Sequence, residues 1–370
     1  MGNAADRVGT REKRERIARF LDEQGCEALV LGRRDNFSWF TGGGDNTVVR
    51  SSETGFGIIV VTRGATYLVA HTMDGPRILE EELRGLDVEP VFLRWYEQSR
   101  EEKAAALVSP GRAVSDVPIP GARFLPAAIS RLHYPLTEGE IERCRILGME
   151  TEQGIAEVAR AITPGDCETE IEAMLVCALA RRGICCDVLL VGSDERIARY
   201  RHPTPTEKKV ERLVLLHPAA RKWGLHANIT RMVNFGDRIP ADVAARYDAA
   251  SRVEAAAITR CVPGTKFRDI LEVEKRVYGE TGFPDEWRNH SQGGITGYQL
   301  ADPTLCLDPG AEVVPNQAFD WFITITGVKV EELSISGRDG PQVVSAAGAW
   351  PVREYEHDGA VLRLPEILRR

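Results

Sequence analysis

Apolar residues Ile17, Ala18, Phe20 and Leu21, set among charges over residues 11–24, carry the spacing of an amphipathic helix. Gly25 supplies its stop, and Glu27-Ala28-Leu29-Val30-Leu31 follows as a short buried strand. Residues 57–61 and 65–69 are predicted as two further strands, joined by a Thr-Arg-Gly turn into a hairpin. The Pro- and Gly-rich stretch 107–135 leads to a domain boundary. Thr137 then opens a new unit. Thr137 and Glu140 hold the two positions of a capping box, each side chain answering the other's backbone N–H, and the helix behind them is predicted to run to about Ile162.

One pattern occurs twice in the second half. Ile162-Thr163-Pro164-Gly165-Asp166 with Thr169-Glu170-Ile171 is echoed by Cys261-Val262-Pro263-Gly264-Thr265 with Arg268-Asp269-Ile270. Each is a helix end, a Pro-Gly turn and a new helix start, the order expected of two related halves. Between them, residues 214–217 and 225–229 read as adjacent antiparallel strands. On the second strand His226, Asn228 and Thr230 alternate onto one face, and Leu225, Ala227 and Ile229 onto the other. That pattern sets an apolar core against a polar cleft.

Composition narrows the classes. A chain of 370 residues, 43% hydrophobic and 28% charged, fits two globular domains. A formal net charge of −8 argues against nucleic acid as a partner, and the basic run Arg11, Lys13, Arg14, Arg16 is interleaved with Glu12 and Glu15 as on a solvated helix face. No apolar run is long enough to span a bilayer and no signal-peptide core opens the chain, so a cytoplasmic protein without a membrane partner is expected. The eight cysteines, Cys26, Cys144, Cys167, Cys177, Cys185, Cys186, Cys261 and Cys306, lack CxxC spacing and are expected as reduced, buried small hydrophobes.

Several motifs together resemble the creatinase/aminopeptidase P/prolidase superfamily, whose fold is the pita-bread fold. Gly-Cys-Glu-Ala-Leu-Val-Leu followed by Asn-Phe-x-Trp-Phe-Thr-Gly is similar to its N-terminal domain. Asn228-Ile229-Thr230-Arg231 stands where metal-dependent members carry Asp-Ile-Thr-Arg, and the run from His290 through Gly293-Gly294 to Gly297-Tyr298 resembles the stretch with a ligating His. Gly327-Val328-Lys329-Val330-Glu331-Glu332 resembles Gly-x-Arg-x-Glu-Asp. The resemblance implies an α+β chain: a creatinase-like α/β domain over 1–135, then a pita-bread catalytic-type domain over 136–370, with homodimers expected.

Carried over by residue, the resemblance replaces two metal-ligating Asp by His217 and Asn228, keeps His290 and Glu331, and puts Phe322 in place of a Glu, although a shift of two makes that position Asp320. Paired divalent ions need bridging carboxylates, so a binuclear centre is expected to be absent. The favoured expectation is a cofactor-free hydrolase-like enzyme acting on a C–N bond of a small guanidino, amide or cyclic amino-acid derivative. His202, before a Pro- and Thr-containing loop as in creatinase, would move the proton with Glu331 and His290. His217, His226, Asn228, Arg231, Tyr298, Trp321 and Glu332 are the expected substrate-binding residues. For Arg231 an ion pair bracing the sheet weighs equally, and for Trp287, Tyr298 and Trp321 core packing weighs equally with an aromatic wall. Asn36 and Trp39 are expected, by analogy, to reach a partner subunit's cleft. The alternatives are one divalent ion (Zn, Fe or Mn) on His217, His290 and Glu331 in a lyase or Xaa-Pro-type peptidase, or a non-catalytic binding protein.

Overall fold

The computed structural model describes residues 4–302, 310–337, 339–346 and 348–370, with side chains from Thr10 onward. Cys306 lies outside them. The chain divides into two compact units, Met1–Glu140 and Ile141–Arg370. Among the described residues no helix is long and apolar enough to cross a membrane.

The first unit follows the predicted alternation of helix and strand. Its amphipathic segment forms the helix Ala4–Gln24, and Gly25 ends it at φ +63°, a conformation that favours glycine. Strand Ala28–Arg33 sits inside a six-stranded sheet, antiparallel to Thr54–Thr62 and parallel to Ala113–Ser115. Thr54–Thr62 and Thr66–His71 make the expected hairpin, with Val61 paired to Thr66. Val30, Ile58, Val60, Val69 and Leu93 form one cluster; each such side chain contributes roughly 1.5–3 kcal/mol on leaving water.

Asn36 and Trp39 correct an expectation. They lie on the helix Arg34–Thr41 and are fully buried. Asn36 Nδ2 donates to Asp116 at 2.9 Å, and Lys13 Nζ donates to the Trp39 carbonyl at 2.7 Å. Neither side chain is free to reach another subunit.

In the chain's second half the capping box forms as predicted: Thr137 N donates to Glu140 Oε2 at 2.8 Å, Glu140 N to Thr137 Oγ1 at 3.3 Å, and the helix Glu138–Ala161 follows. The repeated Pro-Gly turns are matched bond for bond. Gly165 N donates to the Val210 carbonyl and Val210 N to that of Asp166, while Gly264 N donates to the Val313 carbonyl and Val313 N to that of Thr265, all at 2.9 Å. Cys167 then bridges Lys209 as Lys266 bridges Glu312, and the helices Glu168–Ala180 and Phe267–Glu280 begin. Both glycines have positive φ, +102° and +89°.

Each half contributes sheet to the site. Leu213–Lys222 pairs antiparallel with Cys185–Ser193 and turns through Trp223-Gly224, both at positive φ, into Leu225–Asn228. The register runs from Ala219 opposite Asn228 to Leu216 opposite Arg231, which sets His217 opposite Thr230. There the ladder breaks, because Pro218 has no N–H and Thr230 N donates instead to the Glu331 carbonyl at 3.1 Å. In the second half Gly294-Ile295, Ala318–Asp320, Leu333–Gly337 and Gly340–Val343 form one sheet, and Ile323–Ile325 with Val328–Val330 a hairpin beside it.

The seven described cysteines are free, as expected, but not all are buried: Cys177 is exposed, and Cys185 and Cys186 are partly so. Burial pushes the Cys186 thiol up to about 12, which keeps it unreactive.

Candidate active site

Thr230 stands where the two halves meet, and its hydroxyl connects them. It donates to Glu331 Oε2 at 2.8 Å and lies 3.0 Å from His217 Nδ1. His217 Nδ1 is itself 2.8 Å from Glu331 Oε2, and Lys329 Nζ is 2.9 Å from the same oxygen. All four side chains are buried. Since the threonine proton is spent on Glu331, the His217 ring bears its proton on Nδ1, toward the carboxylate, and keeps its Nε2 lone pair. Burial opposes the charge on Glu331, but His217 and then the Lys329 ammonium outweigh it and hold the carboxyl well below the usual range. Burial also lowers His217, so its ring is neutral. Sequence reasoning undervalued Lys329 as a site group. Its signal is the i,i+2 spacing to Glu331, which puts both on one side of an extended chain.

Asn228 Nδ2 donates to the Leu300 carbonyl at 3.1 Å and to Asp320 Oδ2. Asp320 in turn lies within hydrogen-bonding reach of Glu331, and burial together with that neighbouring charge pushes it well above the carboxylate range. The acidic side chain that joins the group around Glu331 is therefore Asp320. Phe322 instead packs edge-on against His290 (centroids 6.0 Å apart), with Lys329 Nζ 5.6 Å from its ring centre.

His202 and His290 form a second cluster. Their Nε2 atoms are 3.1 Å apart and their rings meet at 63°. Pro203 fixes the backbone after His202 by packing where a Cβ on Gly192 would stand. Gly293 lets the His290 loop lie against 320–322: a Cβ there would meet the Asp320 carbonyl at 2.2 Å. His290 Nδ1 contacts the Ser291 carbonyl, which only accepts, so Nδ1 carries the proton. Burial lowers His290 to about 4, and burial and Lys329 lower His202 as well.

Several residues expected to contact substrate are held by partners inside the protein. Arg231 is completely buried, bonded to Glu152 Oε1 at 2.8 Å and to Glu332, which also accepts from Ser345. Arg231 and Glu332 thus brace the sheet, because a buried guanidinium must be matched by carboxylates. His226 has both ring nitrogens occupied, Nδ1 by the Gly297 carbonyl at 2.9 Å and Nε2 by Asp187 at 3.0 Å. Tyr298 is buried, and Trp321 is buried with its ring stacked on Phe319. Trp287 lies between Lys275 and Arg288. The aromatic wall does not form, since Tyr298 and Trp321 serve the core.

The donor set can be tested against metal. Among the described residues no three His, Cys, Asp or Glu groups converge as ligands, so the set His217, His290 and Glu331 is not assembled. Two ions do not fit, because Asn228 and Phe322 bring no charge and Lys329 already neutralises Glu331. Among the described residues, three buried oxygens nevertheless accept from no N–H or hydroxyl donor: Asn228 Oδ1, Asp320 Oδ1 and Glu331 Oε1. They belong to side chains that adjoin one another, Asn228 with Asp320 and Asp320 with Glu331. This set fits one oxygen-liganded cation.

Comparison with known proteins agrees with the fold and corrects the chemistry. The solved Xaa-Pro dipeptidase from Bacillus anthracis superposes with a TM-score of 0.74 at 16% identity, covering 98% of this chain and 100% of that one. Dipeptidase PepE from Mycobacterium ulcerans gives 0.73 at 17%, covering 97% and 98%. In sequence, the probable dipeptidase PepE of Mycobacterium tuberculosis H37Rv is 23% identical over 220 residues, 57% of this chain; the match spans only 58% of that relative's length. The model of metallopeptidase family M24 matches residues 142–329, just over half of the chain. That match overturns the expectation of an enzyme needing no cofactor, since the family is one of metallopeptidases. Pita-bread architecture, the doubled Pro-Gly units and this match converge: the chain belongs to metallopeptidase family M24.

Proposed function

We propose that this chain is a peptidase-like hydrolase that cleaves a C–N bond in a small amino-acid-derived substrate, a dipeptide of the Xaa-Pro kind being the first class to try. The observation that carries the reading is the imidazole pair, Nε2 to Nε2 at 3.1 Å, at a more open position than the buried groups around Glu331.

The contacts support one arrangement of the protons. His290 is neutral at pH 7 and protonated on Nδ1, so its Nε2 presents a lone pair. That lone pair can accept only from His202 Nε2–H, which leaves the His202 Nδ1 lone pair free. His202 Nδ1 is then the base that takes a proton from the attacking water and returns it to the leaving nitrogen. As the imidazolium forms, burial and the Lys329 ammonium oppose its charge and Glu331 offsets part of that cost, so the cation is short-lived and its proton passes readily to the leaving nitrogen. Thr230 and Lys329 hold that carboxylate ionised. Asp320, Glu331 and Asn228 would hold a single divalent ion, which when bound supplies Lewis-acid polarisation of the scissile carbonyl.

The test is a hydrolysis screen of Xaa-Pro dipeptides, guanidino compounds and cyclic amino-acid derivatives, with and without added Mn2+, Zn2+ or Co2+. Turnover that falls about 10²–10⁴-fold in His202→Ala with the melting temperature preserved is expected. Full turnover by that variant would refute the assignment.

A further inference from the structure

Glu286 joins three segments that are far apart in sequence. It lies on the short 3-10 turn Glu286–Asn289, directly before His290. Its Oε1 accepts from the Thr326 hydroxyl at 2.7 Å, and its Oε2 accepts from Thr326 N at 3.1 Å and Arg201 Nη2 at 2.8 Å. The same Arg201 nitrogen donates to Thr326 Oγ1 at 2.9 Å. Arg201 immediately precedes His202. Thr326 opens the turn of the hairpin that leads to Lys329 and Glu331, and its carbonyl accepts from Arg246 of the helix Ala241–Arg260 at 2.9 Å. One carboxylate therefore ties together the strands of chain that carry His202, His290 and Glu331.

The ion pair is mostly buried, with Arg201 and Glu286 side chains 22% and 18% exposed. An exposed pair would contribute little. This carboxylate spends its acceptor sites on two separate segments and stays ionised, because bonds from Thr326 and Asn289 and the Arg201 charge outweigh its burial. Holding catalytic groups in register matters, since a misplacement of about 1 Å can cost about 10²-fold in rate.

We propose that Glu286 and Arg201 are positioning residues that hold His202 Nε2 against His290 Nε2. The inference rests on reading the imidazole pair as the proton-transfer group, but its test does not need turnover. One-bond 1H–15N spectra of the full-length protein, taken in the downfield imidazole region, report the His202 Nε2–H proton, identified by its loss in His202→Gln. The expected result is a hydrogen-bonded, downfield proton in the wild type that is lost in Glu286→Gln and Arg201→Met, with melting temperatures close to wild type. With a cleaved substrate in hand, kcat falls about 10- to 100-fold in both variants while KM stays near its wild-type value, and Arg201→Lys restores part of kcat. If either variant fails to fold, Thr326→Val, which removes one hydroxyl from the node, is read instead and is expected to weaken the signal. A shared proton that persists unchanged in folded variants, or one absent from the wild type, would overturn the proposal. A wild type that cleaves nothing but shows this pattern would sink the proposed function alone.

Discussion

Lys329 Nζ lies 2.9 Å from Glu331 Oε2, and both side chains are almost completely enclosed. Two residues apart on an extended segment, they form a buried ion pair at the junction of the two half-domains. Removing one partner leaves the other charged in a low-dielectric surrounding, which costs about 3–5 kcal/mol. Lys329→Met is therefore expected to lower the urea midpoint strongly, and the double replacement Lys329→Met with Glu331→Leu to recover part of it. A single variant as stable as wild type would contradict the pairing.

Arg231 allows a cleaner separation of bracing from binding. Its guanidinium is matched by Glu152 and Glu332 inside the protein. Arg231→Met is expected to cost about 3–5 kcal/mol in chemical denaturation, while the KM of whatever protein remains folded is unchanged. A raised KM with unaltered stability would return Arg231 to the substrate site.

The oxygens of Asn228, Asp320 and Glu331 that accept from no described N–H or hydroxyl donor predict a cation effect. At about 100 times its Kd, a divalent ion binding only the folded chain stabilises it by about 2.7 kcal/mol. Thermal shifts with Mn2+ or Zn2+ should show an upward displacement that Asp320→Asn largely abolishes. An equal displacement in the variant would place the ion elsewhere.

His290 gives a pH dependence of defined sign. Burial lowers it from its ordinary 6.5 to about 4 in the folded state. The unfolded chain thus takes up a proton near pH 6.5 that the folded chain refuses until about pH 4, so stability falls as pH drops through that window. His290→Asn should lessen the fall in melting temperature between pH 6.5 and 4, leaving the part that His202 and His217 contribute in the same direction. The partial exposure of the ring keeps the effect modest.

Glycine at 293 is tied to the same imidazole. Its φ of +92° and the 2.2 Å approach of a would-be Cβ to the Asp320 carbonyl leave no room for a side chain. Gly293→Ala is expected to destabilise the chain by about 1–3 kcal/mol and to lower activity more than Gly279→Ala, a control position with open space around it.

Much of this architecture is legible along the chain because it is local. The capping box at Thr137 and Glu140, the hairpin of Thr54–Thr62 with Thr66–His71, and the doubled Pro-Gly turns follow from residues a few positions apart. Alternation likewise put His226, Asn228 and Thr230 on one face, where their contacts lie. Periodicity says which face is polar; it does not say which distant charge answers which. Arg231 meets Glu332 across 101 positions, and Asn228 meets Asp320 across 92. Only tertiary structure could decide that the first pair braces the sheet and the second enters the site. The same holds for the aromatics: Tyr298 and Trp321 offer identical chemistry in a cleft or a core, and only the tertiary structure shows both buried. The fold is written in spacing, whereas the role of each ionisable group depends on the long-range partners that offset its desolvation.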